Sequence, residues 1–309
     1  MPNAGCETLL RGDSPVLVVT PHTGTALPDA LRQHAAWLPV EGRLADPAGL
    51  LFQEAARRCG ATLIGARYHP CVIDFMVSAQ GPALSVDADR GGLCRTHTSR
   101  GESLYDADKP LTASEVDHRV EQLWRPFHRA VTDEIRRLRA RHDHVLMLVP
   151  HASWWLSPFR AESMGRDCSI GTDHGKSCDR ALVGALTESA TVQGRSWVVN
   201  GNIADGFTAE HYGDPRAGLH VMNVEISGQW RIDCASEIDR AFEEPLESNA
   251  LPAPRETNKR VTDTMLVPLL DRLERVLRSL PAVACTYGAN DAEGAEGAQG
   301  GRNRGARQI

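Results

Sequence analysis

Two histidines follow short apolar runs in the same context, Thr20-Pro21-His22 and Val149-Pro150-His151. Proline cannot donate to a central ladder, so each run is expected to stop there and hand its histidine to the loop beyond a strand. Two imidazoles delivered to one edge of a sheet can share a metal ion, and one carboxylate would complete the three-ligand set of a catalytic zinc site. Taken singly, either histidine could equally be a hydrogen-bonding residue of the scaffold; the repetition favours a shared site. Glu225 is a charge inside the apolar run His220-Val221-Met222-Asn223-Val224-Glu225-Ile226. An unpaired buried carboxylate is costly, so Glu225 should meet a polar site or a cation, where it can serve as a general base toward water. Two further stretches bring donors together. Ser169-Ile170-Gly171-Thr172-Asp173-His174-Gly175 is a Gly-rich turn without the spacing of a phosphate loop. Asn200-Gly201-Asn202 and Asp205-Gly206-Phe207 lead into His211-Tyr212-Gly213, a mixture of donors and an aromatic ring that suits a small-molecule pocket.

These residues need a frame. Apolar, β-branched runs at 16–20, 62–66, 71–75, 145–149, 197–200 and 220–226 alternate with helical stretches, which predicts an α/β protein with a mostly parallel central sheet flanked by helices. Such sheets bind ligands at the carboxyl edge of their strands. A helix is expected over 113–142, opened by Thr112 and Glu115 as a capping box and kinked at Pro126. A second is expected over 257–280, and the aperiodic stretch 78–111 reads as a loop packed over a site. The expected layout is an arm at 1–14, one domain over 15–285, and a polar, disordered tail at 286–309.

Composition excludes other classes. With 34 Lys and Arg against 40 Asp and Glu, the net charge is −6. That balance argues against a nucleic-acid partner, which would demand a basic stripe. No run approaches a membrane span and no signal peptide opens the chain, so a cytoplasmic protein acting on a small molecule is expected, with its oligomeric state open. The eight cysteines form no Cys-x-x-Cys pair and read as reduced, buried thiols.

The motifs, taken in order, resemble the N-formylglutamate amidohydrolase (N-formylglutamate deformylase) family. They are Pro21-His22-x-Gly24; Gly65-Ala66-Arg67-Tyr68 with Val72-Ile73-Asp74; Gly92-Leu93-Cys94; Gly101-Glu102-x-Leu104-Tyr105; Trp124-Arg125-Pro126-Phe127-His128; Gly171-Thr172; Ser177-Cys178-Asp179; Asn200-Gly201; Gly206-Phe207; His211-Tyr212-Gly213; and Glu225. The resemblance implies a zinc-dependent exopeptidase-like (phosphorylase/hydrolase-like) fold and a metal-activated water attacking a formamide carbon. His22 and Glu225 fall on family positions; together with the strand-edge histidine pair, the resemblance leads to His22, Asp46 and His151 as the expected metal ligands, and to Glu225 as base with Ser153 or His211 polarising the carbonyl. Arg67, Thr172, Asn200 and Gly206 would then line the substrate.

The chain departs from the family at several of these points. Set against the family's Asp-x-His-Ser, Pro150-His151-Ala152-Ser153 places His151 one residue early, and Asp46 in Leu44-Ala45-Asp46-Pro47 is displaced likewise. A slip of one along a strand reverses a side chain's facing. After Asp74 the family continues with Asn and Arg, whereas this chain has Phe75-Met76-Val77; basic positions before Gly206 are lost, and Glu210 stands where a basic residue is common. A pocket without that guanidinium should disfavour glutamate and take a more apolar or cationic substrate. The expectation is therefore a metal-dependent hydrolase of a C–N amide or formamide bond, with zinc as the metal, acting on something other than N-formylglutamate. Its alternative is a family member without the metal, which binds a small molecule or runs other acid/base chemistry.

Overall fold

The computed structural model describes residues 5–80, 84–85, 92–98, 101–152, 166–201, 203–204, 206–243 and 260–283. Strands, in chain order, are β1 (Cys6–Leu10), β2 (Val16–Thr20), β3 (Thr62–Ala66), β4 (Leu84–Ser85), β5 (Cys94–Arg95), β6 (Val145–Ala152), β7 (Cys168–Gly171), β8 (Trp197–Val199) and β9 (Leu219–Ile226). Helices are α1 (Asp29–Arg32), α2 (Pro47–Arg58), α3 (Ala113–Arg119), α4 (Arg125–Arg139), α5 (Arg180–Val192), α6 (Phe207–Tyr212), α7 (Gly228–Glu243) and α8 (Val267–Ser279). Seven strands form one sheet in the order β1-β3-β2-β6-β9-β7-β8, and β4 with β5 makes a separate ribbon. β3, β2, β6 and β9 run parallel. β1 is antiparallel to β3, and β7 is antiparallel to β9. The sheet is thus mixed, mostly parallel, and covered on both faces.

Alternation along each strand divides the core. Leu17, Val19, Ile64, Val145, Met147, Val149 and Val221 face the layer of Val116, Leu123, Phe127, Val131 and Leu138 from α3, α4 and the segment that joins them. Val16, Val18, Leu63, Leu146, Leu148, Met222, Val224 and Ile226 face Phe52, Leu182, Trp230, Leu269 and Leu273, from α2, α5, α7 and α8. Buried on both faces, the central strands read as nearly continuous apolar runs, which is why β2 and β3 match their expected bounds.

Several expectations need correction. The run 71–75 is a buried turn and not a strand; the backbone N–H of Val72 donates to His69 O and that of Asp74 to Leu93 O, so its apolar side chains reflect burial and not a place in the sheet. Residues 6–10, in the expected arm, form the edge strand β1. The start of the Gly-rich stretch is not a turn: residues 169–171 belong to β7. Most consequential, β6 does not stop at Pro150 but pairs with β9 through Ala152. Even-numbered residues of β6 aim their N–H toward β2, as Leu146 N does to Pro15 O. The pairing of β2 with β6 ends at Val18 opposite Leu148, although β2 runs on to Thr20, so the donor missing at Pro150 falls just beyond the last residue that β6 pairs with β2, while the pairing with β9 continues.

Both long helices carry one wide turn just before a proline. Residues Val120–Trp124 and Thr262–Leu266 are π-helical, with Arg125 N donating to Val120 O and Val267 N to Thr262 O. Pro126 and Pro268 lack an N–H, and their rings would strike the carbonyl four residues back; the extra residue per turn relieves that clash. The kink expected at Pro126 takes this form.

Two other buried histidines, His220 and His128, are held neutral. Asp179 N donates to His220 Nδ1, so His220 Nε2 carries the proton and faces His144 Nδ1 at 3.0 Å; His144 Nε2 in turn lies 2.7 Å from Pro281 O. Burial, helped by His144, holds His220 down at about 4, and burial with His211 holds His128 at about 3. Unfolding releases both to the ordinary value near 6.5, so the unfolded chain binds more protons below that pH. Stability is therefore full above about 6.5 and is lost progressively as pH falls toward 4. Thermal melts are expected to show Tm dropping by roughly 5–10 °C between pH 7 and pH 5; a flat or rising profile would refute the neutral assignment.

Candidate functional site

His22, Asp46, Asp74, His151 and Glu225 come together at the carboxyl edge of the parallel strands. His22 follows the turn after β2. Its Nε2 lies 2.9 Å from Asp74 Oδ1, with both side chains buried. His151 and Glu225 are register partners on β6 and β9, on the face shared with Val149, Val221 and Asn223. The His22 and His151 rings meet edge to face at 5.9 Å between centroids. The one-residue offset of His151 thus does not turn it away: because β6 continues through Pro150, odd positions keep the same facing to the strand's end.

Asp46 caps α2. Its Oδ1 accepts from Gly49 N at 2.9 Å, and Pro47 takes the first helical position, where its missing N–H costs nothing. A side chain at residue 49 would bring a Cβ to 2.6 Å from Asp46 Oδ2, so only glycine lets the carboxylate sit there. Burial raises the pKa of Asp46, opposed by the Gly49 N–H and by His22 and His151. His151 is pulled down by burial, but Glu225 and Asp46 outweigh this and leave it raised. His151 Nε2 stands 3.7 Å from Glu225 Oε2, beyond hydrogen-bond reach.

Asp74 is held well below the carboxylate range, at about 2. Burial works against this, while His22, Arg95 and the Met76 N–H favour the charged form. Arg95, itself buried, places Nη2 3.5 Å from Asp74 Oδ2. The guanidinium lost after Asp74 is thus not the last near the site, since Arg95 enters from β5. Arg231, in the first turn of α7, has its pKa lowered to about 10 by burial and partly restored by Asp46.

Other expected residues lie farther out. Thr172 N and Oγ1 both donate to Asn200 Oδ1, and Asn200 adopts φ +51°. A Cβ at Gly206 would stand 2.4 Å from Asn223 Nδ2, so α6 begins directly against β9. Thr172 and Asn200 thus pair next to Gly171, the register partner of Asn223, and Gly206 packs on Asn223, two positions before Glu225 on one strand face. Arg67 points to Glu7 at 3.9 Å and lies over the Tyr68 ring, in a surface cleft of about 510 Å³ whose walls include Thr23 and Gly24. His211 is exposed and stacks on Phe207. Among the described residues, the contacts of Arg67 and His211 are with these neighbours and not with the His22–His151 cluster. Ser153, Asn202 and Asp205 lie outside the described residues.

Asp74, Arg95 and Asn223 are the residues that sequence reasoning did not assign to the site. For Asp74 the signal was present: a charge in the apolar run 71–75 must be paired when buried. Cys94 and Cys178, in family-like loops, are pushed up by burial, Cys94 to about 11, which keeps both thiols protonated and unreactive.

Whether these side chains suit a metal can be tested on the donors themselves. Asp46 Oδ2, His151 Nδ1 and Glu225 Oε2 are buried without a hydrogen-bond partner among the described residues. Buried polar atoms are normally paired, so each of the three calls for a cation or a water as its partner. Two imidazoles and a carboxylate suit zinc. As placed, no three His, Cys, Asp or Glu side chains among the described residues already enclose a metal position. The fit is therefore one of donor chemistry.

A family model described as N-formylglutamate amidohydrolase matches residues 14–230. N-formylglutamate deformylase of Pseudomonas putida is 31% identical over 221 residues, covering 70% of this chain and 81% of the relative. The Pseudomonas aeruginosa N-formylglutamate deformylase is 30% identical over 221 residues, with 70% and 82% covered. The crystal structure of an N-formylglutamate amidohydrolase from Ralstonia eutropha JMP134 superposes with a TM-score of 0.59 at 19% identity, covering 87% of this chain and 95% of that one. A gene product of Agrobacterium tumefaciens gives 0.54 at 17% identity, with 89% and 92% covered. The expected fold agrees with these structures. No helix among the described residues is long and apolar enough to cross a membrane.

Proposed function

Because the chain belongs to the N-formylglutamate amidohydrolase family, we propose that it is a metal-dependent hydrolase of a C–N amide or formamide bond in a small amino-acid-like molecule other than N-formylglutamate. The observation that carries this reading is the convergence of His22, Asp46, His151 and Glu225 at one sheet edge, with unpartnered atoms on Asp46, His151 and Glu225. His22, Asp46 and His151 would hold the metal, with zinc the ion their donors suit best. When bound, the ion supplies Lewis-acid polarisation of the scissile carbonyl and eases ionisation of water. Glu225 takes a proton from the attacking water as the O–C bond forms, then delivers it to the departing nitrogen as the C–N bond breaks. Burial of the cluster keeps bulk water from screening the charges that develop.

The substrate reading rests on what replaces the family's basic side chain. Phe75 is buried and stacked on Phe127 at 4.1 Å. Val77 O accepts from Trp124 Nε1, and Trp124 lies 5.6 Å from Phe207. Met76, Val77, Trp124 and Phe207 thus form an apolar wall reaching from Asp74 to α6. Such a wall offers a substrate carboxylate nothing and an apolar side chain a dry surface. Activity should be compared on N-formyl derivatives of glutamate, leucine and phenylalanine, with and without chelator. The expected result is kcat/KM at least tenfold higher for the apolar substrates, about the worth of one well-buried side chain, and abolished by chelation. A preference for N-formylglutamate would refute the substrate reading. Turnover surviving exhaustive chelation would replace the metal with acid/base chemistry by His22, His151 and Glu225.

A further inference from the structure

We infer that Asp74, braced by Arg95, is a positioning residue that fixes the His22 ring with its proton on Nε2 and so presents Nδ1 as the ligating nitrogen; this rests on the metal reading above. The geometry leaves little freedom. Asp74 Oδ1 lies 2.9 Å from His22 Nε2 and also accepts from Met76 N at 2.9 Å. Asp74 Oδ2 faces Arg95 Nη2 at 3.5 Å. An ionised carboxylate only accepts, so the nitrogen facing it must be the donor. Neutral imidazole carries one proton, and placing it on Nε2 makes Nδ1 the lone-pair nitrogen.

The brace comes from three separate segments. Asp74 ends the buried turn after β3, Arg95 enters from β5, and His22 follows β2, with all three side chains buried. A carboxylate that merely balanced charge would not need one oxygen fixed by a backbone N–H and the other by a guanidinium. Fixed on both sides, it can set both the tautomer and the ring plane of His22, which is what an outer carboxylate does for a metal-bound imidazole.

The test uses the full chain, with histidine ring nitrogens labelled and the His22 signals assigned by their loss in His22→Ala. In metal-free wild type, His22 should show a protonated Nε2 and an unprotonated Nδ1. In Asp74→Asn the carboxamide can turn its NH2 toward the ring, so the tautomer should become mixed and zinc affinity, read by chelator competition, should fall about 10- to 100-fold. Arg95→Gln should move both readouts the same way by less, which covers a failure of Asp74→Asn to fold. A Nδ1-protonated ring in wild type would overturn the inference. So would unchanged zinc affinity in a folded Asp74→Asn protein whose wild type binds zinc. Wild type that binds no zinc while keeping the Nε2 tautomer would instead remove the metal reading, and with it the ligand role given to Nδ1.

Discussion

Glu225→Gln is expected to lower kcat by about 10²- to 10⁴-fold, the usual worth of a positioned general base, with KM changed by less than threefold. The substitution preserves shape and burial but removes the ability to accept a proton. Glu225 faces His151 from the adjacent strand at 3.7 Å, so its carboxylate is a neighbour of the proposed ligands and free to serve the water. The variant should retain the wild-type metal content, because none of the proposed ligands is altered. It should also fold, since glutamine leaves no buried charge without a partner, and its Tm should lie within a few degrees of wild type. Steady-state kinetics on the best formamide or amide substrate reads the effect. A Glu225→Gln protein within threefold of wild-type kcat would show that the proton passes elsewhere, and Glu225 would be only a neighbour of His151.

The same strand pairing explains how much could be read from residues alone. β2 and β3 were legible to the residue because both faces are buried and their apolar runs end at Pro21 and Arg67. β6 runs three residues beyond its expected end, since a proline in a central strand argues for a stop; here Pro150 lies beyond the last residue paired to β2 and is carried by the pairing with β9. That local fact decides the facing of His151, and no sequence pattern carries it. β1 was missed because it is an edge strand with a register shift and exposed Leu9 and Leu10, so it lacks a clean alternation. β7 hid among glycines. A Cβ at Gly171 would stand 2.0 Å from Ile203 O, so glycine there marks close backbone approach and not a loop.

For the site, the residues adjoining strand ends were legible and those arriving from irregular segments were not. His22, His151 and Glu225 follow from strand endings and from a charge in an apolar run. Asp46 came through family resemblance, and its role as the cap of α2 explains why it is placed so firmly. Arg95 reaches the site through the pairing of Asp74 N with Leu93 O and of Arg95 N with Cys71 O, contacts between segments about twenty residues apart that carry no periodicity. Arg67 and His211 show the opposite failure. Motif membership named them, but their side chains turn to Glu7 and Phe207.

The central claim is that His22, Asp46 and His151 hold a divalent metal, and loss of that metal is the largest effect expected of any single substitution. His22→Ala removes one of three proposed donors and leaves Asp74 buried without the imidazole it faces at 2.9 Å. Three protein ligands are the minimum for a catalytic zinc site, so two should not retain the ion through purification. The direct measurement is elemental analysis of untagged wild type and His22→Ala purified side by side, with circular dichroism confirming that the variant is folded. About one zinc per chain in wild type and less than a tenth of that in the variant is the expected result. Equal metal in both proteins, or none in either, would contradict the account and leave the cluster as an acid/base site without a metal.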